Sequence, residues 1–191
     1  ISQVGDYPKK PITETGWAFC GIESSSILEP IVKIYHITGQ KKYLDFATYI
    51  VESGACSREN LFDSIYQGKN PKDIGDNGKP EDSIAKAYEM IEYYRATGIE
   101  KWKETAIIFY NKLLEQEITL LGSGGADAPY NLGPGTGEQW NFTKYEQTNP
   151  DITLMMETCV TVTWMKLCYQ LLRLTGDATI ADEIERSCYN I

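Results

Sequence analysis

The sequence predicts an all-α fold, made of about three helical hairpins of an (α/α)-toroid with a long non-helical insertion. The prediction depends on a repeat in which three amphipathic stretches each end in Thr-Gly, at Gly39, Gly98 and Gly176. A further helical stretch follows each of these glycines within a few residues. One hairpin alone buries only one of its faces, so the three hairpins are expected to stack against one another.

The first hairpin is predicted from side chains that fall on one helix face, namely Ile27, Ile31, Ile34 and Thr38. The serines at 24–26 are expected to cap this helix, and Gly39 is expected to end it in the left-handed conformation. The partner helix is predicted over residues 41–53, with Gly54 as its stop.

The second hairpin is predicted to join residues 83–97, capped by Asp82, to residues 100–116. The third is predicted to join residues 160–175 to residues 179–189. Between the first two hairpins the pattern indicates two smaller elements, a short helix at 59–67 and a polar loop rich in Gly and Pro at 68–79.

Stacked hairpins can form either an open solenoid or a closed toroid. The glycines that end the first helices of the hairpins are 59 and 78 residues apart, longer than the roughly 34 residues of a tetratricopeptide unit. Long repeat units and long linkers favour the closed toroid, whose central funnel suits a saccharide. An open solenoid would instead be a scaffold that binds proteins.

Composition excludes several classes of function. The net charge of −9 argues against nucleic acid and anionic membrane surfaces as partners, because both would repel the chain. No apolar run approaches the length of a membrane span. Five cysteines without a CxxC pair do not indicate a disulfide framework. The chain begins with Ile1 and shows no signal peptide, which favours a fragment, either cytoplasmic or secreted with its leader removed.

The insertion, at about 118–156, has no helical period and combines three kinds of residue. Glycines allow the backbone to approach closely, aromatic rings stack on sugar faces, and carboxylates perform acid–base chemistry. Trp140 and Tyr145 are the candidate sugar-binding rings. The carboxylates are Glu138, Glu146, Asp151 and Glu157. The alternative is that the glycines mark ordinary turns, the rings cover an apolar patch and the carboxylates are solvated charges.

Glu157-Thr158-Cys159 is the sharpest local pattern. Residues i and i+2 face one side of an extended chain but nearly opposite sides of a helix. If Glu157 and Cys159 bind one metal, the backbone must therefore stay extended at Glu157 and become helical from about Thr158. A thiol in a helix's first turn is favoured as thiolate, which suits metal binding. The alternative is a small buried Cys159 that packs as a hydrophobe, as expected for Cys168 and Cys188 within helices.

Several motifs resemble glycoside hydrolase family 127, the β-L-arabinofuranosidase group. They are Gly137-Glu138-Gln139-Trp140, Tyr145-Glu146-Gln147-Thr148-Asn149-Pro150 and Met156-Glu157-Thr158-Cys159, and the resemblance extends to Ser24-Ser25-Ser26-Ile27-Leu28-Glu29-Pro30, Lys86-Ala87-Tyr88-Glu89-Met90, Leu174-Thr175-Gly176-Asp177 and Glu185-Arg186. The Gly-Glu followed by Glu-Thr-Cys is the most specific part. The resemblance implies an (α/α)6 barrel that cleaves terminal β-L-arabinofuranosyl groups of glycans with retention. It implies that Glu138 is the acid/base and that Glu157 and Cys159 are zinc ligands. Two further adjacent cysteines complete the zinc site in that family, and one of them is the nucleophile.

The sequence departs from that family pattern in ways that set the domain assignment. It contains no Cys-Cys pair, and three hairpins cannot close a toroid of six. We therefore interpret residues 1–191 as part of an α/α-barrel catalytic domain whose nucleophile lies outside the chain, so that the fragment alone is inactive and its exposed hairpin faces favour self-association. His36, the one histidine, is interpreted as structural and not as a sugar ligand.

Two competing functions remain open from the sequence. One is a different toroid enzyme, an inverting hydrolase or a polysaccharide lyase, in which Glu138 pairs with Asp151 or Glu146. The other is a non-catalytic helical repeat that binds protein.

Overall fold

The computed structural model describes residues 24–55, 59–74, 80–125, 139–151 and 156–190. Within these ranges the chain has no β-strand, which confirms the all-α prediction. The α-helices are α1 (Leu28–Thr38), α2 (Lys41–Glu52), α3 (Leu61–Tyr66), α4 (Pro80–Thr97), α5 (Glu100–Gln116), α6 (Thr143–Glu146), α7 (Thr158–Thr175) and α8 (Ala178–Asn190). Among the described residues, no helix combines the length and the hydrophobicity that a transmembrane segment requires.

The helices form two layers. In the inner layer, α4 packs between α1 and α7; in the outer layer, α2, α5 and α8 each pack on the inner helix of their own hairpin. The inner helices run in the same direction, as the hydrogen bonds between their corresponding ends indicate. Near the starts, Lys86 Nζ of α4 donates to Ser26 Oγ at 3.0 Å, and near the ends Arg95 Nη1 of α4 donates to Gln170 Oε1 of α7 at 2.7 Å.

The Thr-Gly repeat ends the inner helices as predicted. Gly39, Gly98 and Gly176 are left-handed, with φ of 66°, 70° and 70°, and each N–H reaches back to a carbonyl four residues earlier at 2.7–2.8 Å. A Cβ on any of the three would meet nothing within 4 Å. These glycines are therefore needed for their backbone conformation and not for space.

Predictions of where the helices begin were less accurate. Residues 24–26 do not cap α1; Ser24–Ile27 form a 3-10 helix, and the N-cap residue Ile27 makes no side-chain hydrogen bond. The second hairpin begins at Pro80, before the predicted cap Asp82, because proline fits the first turn of a helix, where its missing N–H costs nothing. α3 is shorter than predicted and begins after Asn60, whose Oδ1 accepts from the Asp63 N–H at 3.1 Å.

The core between the layers is apolar and contains Trp164 of α7. This side chain is fully buried and stacks on Tyr110 of α5, with ring centroids 5.1 Å apart and planes 7° apart. Its indole Nε1 has no hydrogen-bond partner among the described residues. Cys168 is buried nearby, as predicted, but Cys188 is exposed on α8, so its assignment to the core was wrong.

A buried ion pair lies on α4, facing α1. Lys86 and Glu89 are 0% and 1% exposed, and Lys86 Nζ lies 3.1 Å from Glu89 Oε2. Burial lowers the pKa of Lys86 and raises the pKa of Glu89 to about 7, in each case against the attraction of the partner. Breaking such a pair leaves an uncompensated buried charge, so the two residues stabilise the fold only together.

Glu117 joins the outer layer to the predicted insertion. Its fully buried carboxylate, just after α5, accepts from the Thr143 N–H at 2.9 Å, Thr143 Oγ1 at 3.0 Å and the Phe142 N–H at 3.2 Å. These bonds fix the start of α6, a helix too short to produce a period in the sequence and therefore missed. Burial raises the pKa of Glu117 to about 7, although the hydrogen bonds oppose the shift.

Two substitutions of Trp164 distinguish the stability gained from packing of its ring from the cost of its unpartnered indole N–H. We expect Trp164→Ala to lower the free energy of unfolding by about 3–5 kcal/mol, because it leaves a cavity beside Tyr110. Trp164→Phe should cost less than about 1.5 kcal/mol, because the ring remains and the unpartnered indole N–H is removed. Urea unfolding followed by circular dichroism measures both, and equal losses in the two variants would contradict the packing interpretation.

Glu117 should make stability depend on pH. Its folded pKa, about 7, lies above the reference value of 4.5, so its contribution is present in full below pH 4.5 and is lost as pH rises through 7. Glu117→Gln removes the ionisable group at a cost that does not depend on pH, because one hydrogen-bond acceptor is lost. Between pH 4.5 and 7 the free energy of unfolding of this variant should therefore rise relative to that of wild type by on the order of 2–3 kcal/mol. Denaturant unfolding at several pH values across this range measures the difference, and Glu115→Gln, at an exposed carboxylate, is the control. The same pH dependence of the free energy of unfolding in wild type and Glu117→Gln would refute the prediction.

Candidate functional site

Glu157 and Cys159 lie at the start of α7 in the conformation that the sequence pattern requires. Glu157 is the N-cap residue and is extended, with φ −76° and ψ 138°, and the helix begins at Thr158. Cys159 is exposed, and its Sγ lies 3.3 Å from Glu157 Oε2, to which it donates. The predicted backbone conformation is confirmed, and the alternative of a buried Cys159 is wrong. Metal binding by the pair stays a prediction.

The spacing of these two atoms fits a shared zinc ion. Zn–S and Zn–O bonds of about 2.3 and 2.0 Å at a tetrahedral angle place two ligand atoms about 3.5 Å apart, close to the observed 3.3 Å. In the described part of the chain, no group of three or more His, Cys, Asp or Glu residues could hold a metal ion. The pair could therefore supply two of the four ligands that a structural zinc site normally has.

The Glu157 backbone is held by the turn that follows α5. Gly124 and Gly125 offer carbonyl oxygens to the N–H groups of Glu157, at 3.3 Å, and Met156, at 2.7 Å. Met156 has a φ of 67°, which is rare for a residue with a side chain. Sequence reasoning noted these glycines as sites of close approach but did not connect them with Glu157, because more than 30 residues separate the two segments.

Trp140 is buried, in contrast to its predicted role as a sugar platform. It is 4% exposed, and its Nε1 donates to Ser83 Oγ of α4 at 2.8 Å. This contact anchors the segment after Glu138 to the inner layer and leaves almost no ring surface for a ligand. Glu138 itself, the predicted acid/base, lies outside the described residues.

Tyr145 is placed differently. It lies on α6 and is 63% exposed, with its ring centroid 6.4 Å from that of Phe142. An exposed ring beside a second aromatic residue is suited to stacking on a sugar, so substrate binding by Tyr145 stays a prediction.

The other carboxylates of the insertion do not lie in a described pocket. Glu146 accepts from Asn149 Nδ2 at 2.6 Å within its own turn, and Asp151 is exposed. The predicted structural residue His36 is also exposed, with its ring 5.7 Å from that of Tyr35. Sequence reasoning missed Glu117, because a single carboxylate at a helix end does not differ in pattern from a surface charge.

A cavity of about 320 Å³ opens on the inner layer, lined by Glu29, Lys33, Tyr88, Lys166, Tyr169 and Gln170. Its lining comes from α1, α4 and α7 alone, so it opens on the side of the inner layer opposite the outer helices. Its volume lies at the low end of the range of roughly 300–1,000 Å³ for small-ligand pockets. Lys166 is seven residues after Cys159 and therefore lies on nearly the same face of α7, about 10 Å along its axis.

Comparison with solved structures shows the fold. A GH127 β-arabinofuranosidase is 24% identical with a TM-score of 0.67, over 85% of this chain and 24% of that chain. A GH127 β-L-arabinofuranosidase from Geobacillus stearothermophilus T6 is 17% identical with a TM-score of 0.59, over 86% and 27%. A structure described as a glycoside hydrolase is 16% identical with a TM-score of 0.58, over 87% and 28%. The chain thus spans about a quarter of the length of each.

A comparison with curated proteins gave no match. A family model described as the GH127 catalytic domain of β-L-arabinofuranosidase matches residues 9–191, nearly the whole chain. The two-layered helical hairpins and the likeness to solved α-helical hydrolases agree with that match. The chain therefore belongs to the β-L-arabinofuranosidase GH127 catalytic-domain family.

Proposed function

We propose that this chain is part of the catalytic domain of a retaining glycosidase that removes terminal β-L-arabinofuranosyl or related residues from glycans. The observation that carries the proposal is the 3.3 Å approach of Cys159 Sγ to Glu157 Oε2 at the start of an inner helix. Membership of the GH127 family supports the reaction class. Because the chain spans about a quarter of its solved relatives, the complete reaction also needs residues from outside it.

Glu138 is proposed as the acid/base. In a retaining mechanism one carboxyl group protonates the leaving oxygen as the glycosidic bond breaks, and the resulting carboxylate then takes a proton from the water that releases the sugar. Glu138 stands two positions before Trp140 in the sequence. The family resemblance of Gly137-Glu138-Gln139-Trp140 supports this role. The residues that follow it are anchored, because Trp140 is bonded to Ser83 and Phe142 and Thr143 are bonded to Glu117.

Glu157 and Cys159 are proposed as two zinc ligands. Zinc bound there would keep coordinating thiols deprotonated at neutral pH and fix their orientation. Cys159 donates its S–H to Glu157, so this proton must leave before the sulfur becomes a ligand. The nucleophile is proposed to be a further thiol outside this chain, which attacks the anomeric carbon as Glu138 protonates the departing oxygen.

Glycan binding is proposed for Tyr145 and for the cavity of the inner layer. The exposed Tyr145 ring offers an apolar face, and Tyr88 and Tyr169 add aromatic surface in the cavity. Hydroxyl, amide and charged groups beside such rings suit the hydroxyl groups of a sugar.

Metal analysis of the full-length enzyme tests the ligand pair. We expect Cys159→Ser and Glu157→Gln each to lose most of the bound zinc and at least about 100-fold in activity, since even indirect partners of metal ligands are worth roughly 10–100-fold. Cys188→Ser is the matched control, because that thiol is also exposed but contacts Met165, with 3.4 Å between the two sulfur atoms, and is not one of the proposed ligands. Unchanged zinc content in Cys159→Ser would rule out the ligand role.

The acid/base role of Glu138 predicts a dependence on the leaving group. Glu138→Gln should lower kcat by about 10²–10⁴-fold on an alkyl arabinofuranoside. The loss should be smaller on an aryl arabinofuranoside with an acidic phenol, because that group departs without protonation. Steady-state kinetics should show little change for Glu146→Gln and Asp151→Asn; a comparable loss in either variant would favour an inverting carboxylate pair instead.

A further inference from the structure

Gly124 lies between the two segments that carry the candidate chemistry. Its carbonyl oxygen accepts from the Glu157 N–H at 3.3 Å. A Cβ at this position would lie 3.0 Å from Cζ3 of Trp140 and 3.2 Å from the carbonyl oxygen of Glu117. Both distances are shorter than a methyl group tolerates without a shift of its neighbours. Any side chain at position 124 must therefore move the Trp140 ring or the backbone that holds Glu157.

The residue before Glu157 is in a strained conformation. Met156 has a φ of 67°, in the left-handed region that is unfavourable for a residue with a side chain. Its N–H donates to the Gly125 carbonyl at 2.7 Å, which offsets that cost. The left-handed Met156 followed by the extended Glu157 turns the chain into α7, so the carbonyl groups of the glycine turn determine the direction from which Glu157 enters the helix.

Two buried hydroxyl groups secure the other side of Glu157. Thr161 Oγ1, in the first turn of α7, lies 2.6 Å from Ser123 Oγ and donates to the Glu157 carbonyl at 3.0 Å. Ser123 Oγ lies 3.4 Å from the same carbonyl oxygen. The Glu157 peptide groups are thus held at the N–H by Gly124 and at the C=O by Thr161 and Ser123.

We propose that Gly124 is a positioning residue for the Glu157–Cys159 pair: the approach of Trp140 to its Cα fixes the carbonyl that holds Glu157, and so sets the distance from the carboxylate to the thiol. The inference deepens the proposed function, because it concerns the pair assigned there to zinc. Gly124 acts only through Glu157. Since the Trp140 ring packs against Gly124, a displacement of that ring is transmitted to the backbone that holds Glu157.

The zinc affinity of the full-length enzyme tests the proposal. The metal is removed with a chelator, and the dissociation constant for added zinc is measured by competition with a chromophoric chelator. Glu157→Gln should weaken zinc binding by at least about 10-fold, because it removes a proposed ligand. Gly124→Ala should weaken it by roughly 10-fold, because the added methyl group displaces the carboxylate from the sulfur.

Gly98→Ala is the matched control, since Gly98 is left-handed and nothing lies within 4 Å of a Cβ at its position; it should lower stability without changing zinc affinity. If circular dichroism shows Gly124→Ala to be unfolded, Thr161→Val takes its place, because it removes the hydroxyl group while keeping the side-chain shape. Wild-type zinc affinity in the folded variant overturns the proposal and leaves the proposed function standing. A wild-type enzyme that binds no zinc overturns the proposed function, and this inference with it.

Discussion

The enclosure of α4 on three sides is the constraint on which the rest of the structure depends. From Ser83 to Tyr93 every side chain except Tyr88 is buried, against α1, α5 and α7. Polar groups in this stretch must therefore find partners inside the protein, because water is excluded. Lys86 pairs with Glu89 and reaches Ser26, and Ser83 receives the indole N–H of Trp140. The same enclosure thus aligns the inner helices and anchors the segment that follows Glu138.

Features governed by local rules were predictable from the sequence. The three Thr-Gly endings identify the hairpins, because a left-handed residue after a helix is a property of a few neighbouring atoms. The helix starts were less predictable, since Ser24–Ile27 form a 3-10 turn and Pro80 begins a helix ahead of a better capping residue. α6 was missed because its four residues depend on Glu117, which lies about 25 residues earlier in the chain.

In the candidate site, too, features that depend on neighbouring residues were predictable and features that depend on distant contacts were not. Glu157 and Cys159 could be placed on one side of an extended backbone from their spacing alone, and the structure has that conformation. Trp140 was interpreted as a ligand platform because an indole beside glycines and carboxylates is typical of a sugar site, whereas its burial depends on a partner in α4. Gly124 carries no signal beyond its identity, since the ring that excludes a side chain there is 16 residues away in sequence.

The turns inside the hairpins contain only two residues each, Gly39–Gln40, Gly98–Ile99 and Gly176–Asp177, and all three have the same form. The connections between hairpins are much longer, and they lead to the end of the inner layer where Glu157 and Cys159 lie. The form of the two-residue turns does not depend on the length of these connections. The surroundings of Glu157 and Cys159 can therefore change in length and composition while the hairpin turns keep one form.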